Sequence, residues 1–127
     1  MPASPQGSQK LPGRSRIKES REYARIKSHG RRFGTGSLLV NWMLEPSCSR
    51  SRVGIIVSRK VGNAVTRNLA KRRLREVFRK HQSQLLPSLQ LVIVARPSIA
   101  RKSFWEVEQD FLQAVKTAQI RSAPSAS

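Results

Sequence analysis

The stretch VGNAVTRNLAKRRLREVFRK, Val61 to Lys80, holds seven Lys or Arg and a single acid, Glu76. Its residues sort onto the faces of a helix. Ala70, Leu74, Val77, Phe78 and His81 fall at i, i+4, i+7, i+8 and i+11, one apolar stripe that must be packed against something. Asn68, Lys71, Arg72, Arg75 and Arg79 fall at i, i+3, i+4, i+7 and i+11 on another face. Arg67 stands one turn before Lys71 at the edge of that face, whereas Arg73 and Lys80 point elsewhere. Like charges at this spacing repel. A solvated helix face ordinarily mixes signs, and this one carries no acid. A phosphate backbone would account for it. Arginine offers planar, multidentate donors to phosphate oxygens. Asn68 both donates and accepts, as a 2′-hydroxyl or a base edge requires.

The elements around this helix follow from shorter patterns. Ser20 is the expected cap of a first helix over REYARIKSH, stopped by Gly30, with Tyr23 and Ile26 on one face. SLLVNWMLE reads as a strand with Leu38, Val40, Trp42 and Leu44 on one side and Asn41 and Glu45 on the other. VGIIVSRK reads as the next strand, and the short polar link predicts that the two pair antiparallel. Gly62 and Asn63 break that strand and open the basic helix. LQLVIVAR, between Pro87 and Pro97, is apolar enough to lie centrally in a sheet. In the last helix Ser103 and Glu106 form a capping box, and Phe104, Val107, Phe111, Val115 and Ala118 form its apolar stripe. The order α-β-β-α-β-α predicts helices packed on a small sheet.

Twenty-five basic and seven acidic residues give +18, with a sequence pI near 11.9. Self-repulsion on that scale points to a polyanionic partner. Nucleic acid comes first, and an anionic membrane surface is the weaker second. No apolar run approaches the roughly 18 residues of a membrane helix. No apolar core follows the N-terminal charges as a secretory signal would require. Cys48 stands alone, which leaves no internal disulfide and no cysteine-based metal site. A cytoplasmic location is expected. The Pro-, Ser- and Gly-rich ends, 1–13 and 121–127, are expected as disordered tails around one domain at 14–120.

VGNAVTRNLAKRRLRE, preceded by VGIIVSRK, resembles the signature region of the bacterial ribonuclease P protein subunit. The first helix, the strands, LVIVARP and the closing helix follow in that family's order, from about Arg14 to Lys116. The resemblance implies an α/β fold, a single two-layer sandwich with a left-handed β-α-β crossover, against the usual hand. It implies that the RNA subunit is the catalyst. With magnesium ions, that RNA hydrolyses one phosphodiester of precursor tRNA and releases the 5′ leader. The protein binds the RNA and grips the leader, holds no cofactor itself and needs no protein partner. Carried over by position, Lys60, Asn63, Arg67, Asn68, Lys71, Arg72, Arg75 and Arg79 face the RNA subunit. Tyr23 and Lys27 face the leader, Lys27 standing where a second aromatic is common. Phe33 and Trp42 are candidates for aromatic surface there, with core packing as the competing reading. One departure is internal: Leu69 replaces the arginine expected after Arg67-Asn68. Arg73, about 40° away around the helix, is the cation nearest to replacing it.

Three other functions compete with this one. A protein-only nuclease needs clustered carboxylates, and the seven acids are scattered. Glu106, Glu108 and Asp110 come closest, and capping and solvation explain them better. His29 and His81 are isolated, and Cys48 has no histidine near it in sequence. A structural or ribosomal RNA-binding protein with no role in cleavage has the same composition; only the signature spacing and element order argue against it. A helix-turn-helix lacks the tight helix pair it would need around the basic helix.

Overall fold

The computed structural model describes residues 15–118 and 120. The expected tails, 1–13 and 121–127, lie outside them. Seven main elements follow in order: α1 (Ser20–His29), β1 (Arg31–Thr35), β2 (Leu38–Leu44), β3 (Arg52–Val57), α2 (Ala64–His81), β4 (Leu89–Ala95) and α3 (Phe104–Ala118). The strands form one sheet in the order β1-β2-β4-β3. β4 is antiparallel to β2 and parallel to β3, so α2 is the crossover of a β-α-β unit.

β4 is central because it can be. All seven residues except Val94 are buried, which only a strand covered on both faces sustains. On one face Leu91 and Ile93 join Leu38 and Val40 of β2 and Val53 and Val57 of β3. This layer packs against Ala70, Leu74, Val77 and Phe78 of α2 and Val107, Phe111, Ala114 and Val115 of α3. That is the main sandwich. On the other face Val92 packs with Ile17 and Ile26, edged by Tyr23, Met43, Ile56 and Val94; α1 covers this side.

Several sequence expectations change. β2 and β3 do not pair. β4 inserts between them, because the most apolar strand takes the most protected position. β1 is an additional strand, joined to β2 in a hairpin whose turn uses Gly36 at φ 50°. Ser20 is the first helical residue of α1; Glu19 is its cap and forms a capping box with Glu22. The box at Ser103 and Glu106 forms as expected: the Ser103 N–H donates to Glu106 Oε1 at 2.9 Å, and the Glu106 N–H donates to Ser103 Oγ at 3.2 Å.

Two carboxylates expected to be solvated instead tie α3 into the sandwich. Glu108 is buried, 2.8 Å from Lys80 Nζ and 2.7 Å from His81 Nε2. Asp110 accepts from the N–H and hydroxyl of Ser37 and pairs with Lys102 at 2.8 Å. His81 is therefore at the rim of the core, its ring stacked on Phe111 with centroids 6.2 Å apart. The Lys80 ammonium and then the His81 ring hold the Glu108 carboxyl below its ordinary value of 4.5, outweighing burial. A carboxyl depressed in the folded state contributes stability that is fully present above its unfolded value. That contribution disappears as pH falls through the folded value. Glu108→Gln is accordingly expected to destabilise the domain at pH 7, with the gap from wild type closing as pH drops below about 4.5. Urea midpoints for both proteins from pH 7 to pH 3 test this; a gap independent of pH would refute it.

Candidate nucleic-acid interface

The basic helix is entered through a tight, self-bonded turn. Ser58 Oγ accepts from the Lys60 N–H at 3.3 Å, Val61 is buried, and Gly62 adopts φ 153°. Asn63 caps α2, its Oδ1 accepting from the Thr66 N–H at 2.9 Å. That oxygen is occupied, so what Asn63 offers a partner is its amide NH₂. Arg67 Nε donates to the Gly62 carbonyl at 3.1 Å, which folds its guanidinium back over the helix start. Lys60 is left exposed.

Beyond this entry the stripe appears as the helical period predicts. Asn68 and Arg72 are exposed and Lys71 and Arg75 half-buried, while Ala70, Leu74, Val77 and Phe78 point inward. What distinguishes the stripe is where the acids are. Glu19 pairs with Arg21, Glu22 with Arg52, Glu45 with Arg25, Glu76 with Arg79, Glu108 with Lys80 and His81, and Asp110 with Lys102. Glu106 is spent on capping α3. These are all seven acids of the chain. Lys71, Arg72 and Arg75 have no carboxylate partner among the described residues. Arg79 departs from the expected set: its guanidinium is bonded to Glu76, so its charge is compensated within the helix. Arg73 does not stand in for the arginine absent at Leu69. Its Nη1 donates to the Lys102 carbonyl at 2.6 Å and fastens α2 to the start of α3.

A cleft of about 370 Å³ opens beside the stripe, between α1 and β3. Tyr23 lies over Gly54, where a Cβ would come within 2.5 Å of the tyrosine oxygen. The absent side chain is what lets the ring sit this deep. The Tyr23 hydroxyl donates to the Ile17 carbonyl at 3.3 Å. Burial, then the charge of Glu22, push the phenol pKa up, so it remains a donor at neutral pH. Arg75 of the stripe lines the same cleft, making stripe and cleft one continuous surface. Lys27 is exposed one turn beyond Tyr23.

Phe33 and Trp42 are not part of this cleft. They stand opposite Val40 and Arg31 in the β1–β2 ladder and pack against the main core, on the other face of the sheet from Tyr23. The Arg31 guanidinium caps the Trp42 ring at 6.0 Å. The cleft instead gains Arg16 and Lys18, which sequence reasoning missed. Their segment runs along β3, with the Ile17 N–H donating to the Val53 carbonyl at 2.9 Å. The signal was the strand-like alternation Arg-Ile-Lys, apolar inward and basic outward.

The Ribonuclease P family model matches residues 11–119. The chain belongs to the ribonuclease P protein family. It is 36% identical over 110 residues to the ribonuclease P protein component of Syntrophomonas wolfei, covering 87% of this chain and 92% of that one. Among solved structures, the RNase P protein of Staphylococcus aureus superposes with a TM-score of 0.79 at 28% identity, over 85% of this chain and 98% of that one. The RNase P protein of Thermotoga maritima gives 0.73 at 28% identity, over 80% and 96%. The four-stranded sheet with its helices is thus the ribonuclease P protein fold, and the chain is a protein component of ribonuclease P.

Proposed function

We propose that this chain binds the catalytic RNA of ribonuclease P through the α2 stripe and its entry: Lys60, Asn63, Arg67, Asn68, Lys71, Arg72 and Arg75. In the same proposal the 5′ leader of precursor tRNA lies in the cleft beside Tyr23 and Lys27. Ribonuclease P is a tRNA-processing enzyme, and a protein component of it has an RNA partner in the holoenzyme. The observation that carries the finer reading is the allocation of charge. Six of the seven acids are engaged away from the stripe and Glu76 is taken up by Arg79, so Lys71, Arg72 and Arg75 keep their charges uncompensated, Arg75 in the cleft itself. Phosphates are the natural counter-charges.

Hydrolysis belongs to the RNA in this reading, and the protein supplies affinity. Among the described residues no three His, Cys, Asp or Glu side chains converge on a point that would hold a metal ion. The carboxylates that would be ligands are taken up in ion pairs and caps. The donor set does not fit a protein-held magnesium site, and the magnesium ions of the reaction are assigned to the RNA. A cytoplasmic site of action, without a protein partner, completes the proposal. No helix among the described residues is long and apolar enough to cross a membrane.

Purified protein alone should leave precursor tRNA intact and should promote its cleavage by a bacterial ribonuclease P RNA. Cleavage without RNA, or no promotion with it, would reject the division of labour. The interface itself has a salt signature. Affinity for the RNA should fall linearly with salt on a log–log scale. Lys71→Ala and Arg75→Ala should each flatten that slope by about 0.7 to 0.9. Lys116→Ala, on the exposed side of α3, should leave it unchanged. Equal slopes for all three variants would remove the stripe from the interface.

A further inference from the structure

Where the stripe meets the start of α3, its character changes. Leu69, Arg72, Arg73, Glu76 and Phe104 line an open hollow of about 200 Å³. Its floor is apolar. Leu69 is half-buried, and Phe104 is packed on the main core by only part of its surface. Val65, one turn before Leu69 on the same ridge, is 77% exposed and extends the apolar surface. The polar rim is already sorted. Arg73 is fastened to the Lys102 carbonyl, and Glu76, the one acid of the rim, is neutralised by Arg79. Arg72 is exposed and has no carboxylate partner among the described residues.

We infer that this hollow takes one unpaired nucleobase of the ribonuclease P RNA, its ring against Leu69 and Phe104 and its phosphate on Arg72. The inference rests on the α2 stripe facing that RNA. An apolar floor contributes nothing to holding a bare phosphate backbone. An apolar protein partner would bury Arg72 with no counter-charge, which is costly. A nucleotide satisfies both halves, because its base has an apolar face and its phosphate takes a guanidinium. A base held here would also add selectivity to a stripe whose cations meet the backbone.

Leu69→Gln tests this without opening space or breaking the helix, because glutamine is of similar length and a good helix former. Leu69→Ala is its companion, and melting temperatures near wild type establish that both fold. Each is expected to weaken binding of ribonuclease P RNA about fivefold or more, the scale of losing one or two buried methylene groups against the base. The salt slope should not change, because no charge is lost. Chemical probing of the bound RNA should then uncover one base while the neighbouring backbone stays protected. Affinity within twofold of wild type for both variants, with no base uncovered, overturns the proposal. So does a change in sedimentation of the free protein, which would make the hollow a contact between two copies of the chain. Lys71→Ala and Arg75→Ala, measured in parallel, separate the two readings. Flattened slopes alongside silent Leu69 variants reject the hollow and keep the stripe. Unchanged slopes reject the stripe, and the hollow with it.

Discussion

Phe78→Ala is expected to lower folding stability by about 3–5 kcal/mol, the usual range for emptying a buried phenylalanine site. Phe78 is 0% exposed and sits in the main core cluster. Leu74 lies one turn away on the same stripe, so the cavity would be lined by apolar groups held on a rigid helix and could not easily collapse. A domain of this size has about 5–15 kcal/mol in total, so the variant would lose a large fraction of it. Arg72→Ala, on the opposite side of the same helix, should leave the melting temperature nearly unchanged while weakening RNA binding. Denaturant titration of the two variants beside wild type makes the comparison. A stability loss in Arg72→Ala approaching that of Phe78→Ala would place the arginine in a structural network rather than at an interface.

The second large effect belongs to Tyr23. Stacking on a base contributes roughly 1–3 kcal/mol, so Tyr23→Ala should weaken precursor tRNA binding by about five- to 150-fold in the reconstituted complex. Binding of mature tRNA, which has no leader, should barely change. The ring also edges the smaller core cluster, and its hydroxyl bonds the Ile17 carbonyl, so truncation removes packing as well. Tyr23→Phe separates these contributions. It keeps the ring over Gly54 and should keep the preference for precursor. If Tyr23→Ala weakens both tRNAs equally, or neither, the leader lies elsewhere.

The two faces of α2 were legible because a helix writes its burial into a period, and the buried set Ala70, Leu74, Val77 and Phe78 is the one the period picks out. Strand order is not written that way. The short link between β2 and β3 says that they are close in the chain, but not that β4 will lie between them. β1 escaped notice because Arg-Arg-Phe-Gly-Thr, at an edge, needs no apolar alternation to hold its place. Glu108 and Asp110 read as solvated because their partners Lys80, His81 and Ser37 are distant in sequence. The face of Trp42 was legible, and the competing core reading is the one that holds: it shares the parity of Leu38 and Val40, both core residues, which sets it across the sheet from Tyr23. Arg16 and Lys18 join the cleft only through the pairing of their segment with β3, a tertiary event.

The central place of β4 has a consequence for a chain still being made. β1 and β2 can close their hairpin as they emerge, but β3 has no strand to pair with until β4 follows it. The most cationic segment of the molecule lies between those two strands. Its fastenings come later still, Arg73 to the carbonyl of Lys102 and Lys80 with His81 to Glu108. A nascent chain that has produced α2 but not α3 therefore exposes an adhesive polycation before it has a shaped surface, when transiently exposed apolar faces are also most prone to misassembly. Any polyanion nearby can hold such a segment. The cationic face of α2 takes its final form only when the last helix docks and fastens Arg73, Lys80 and His81.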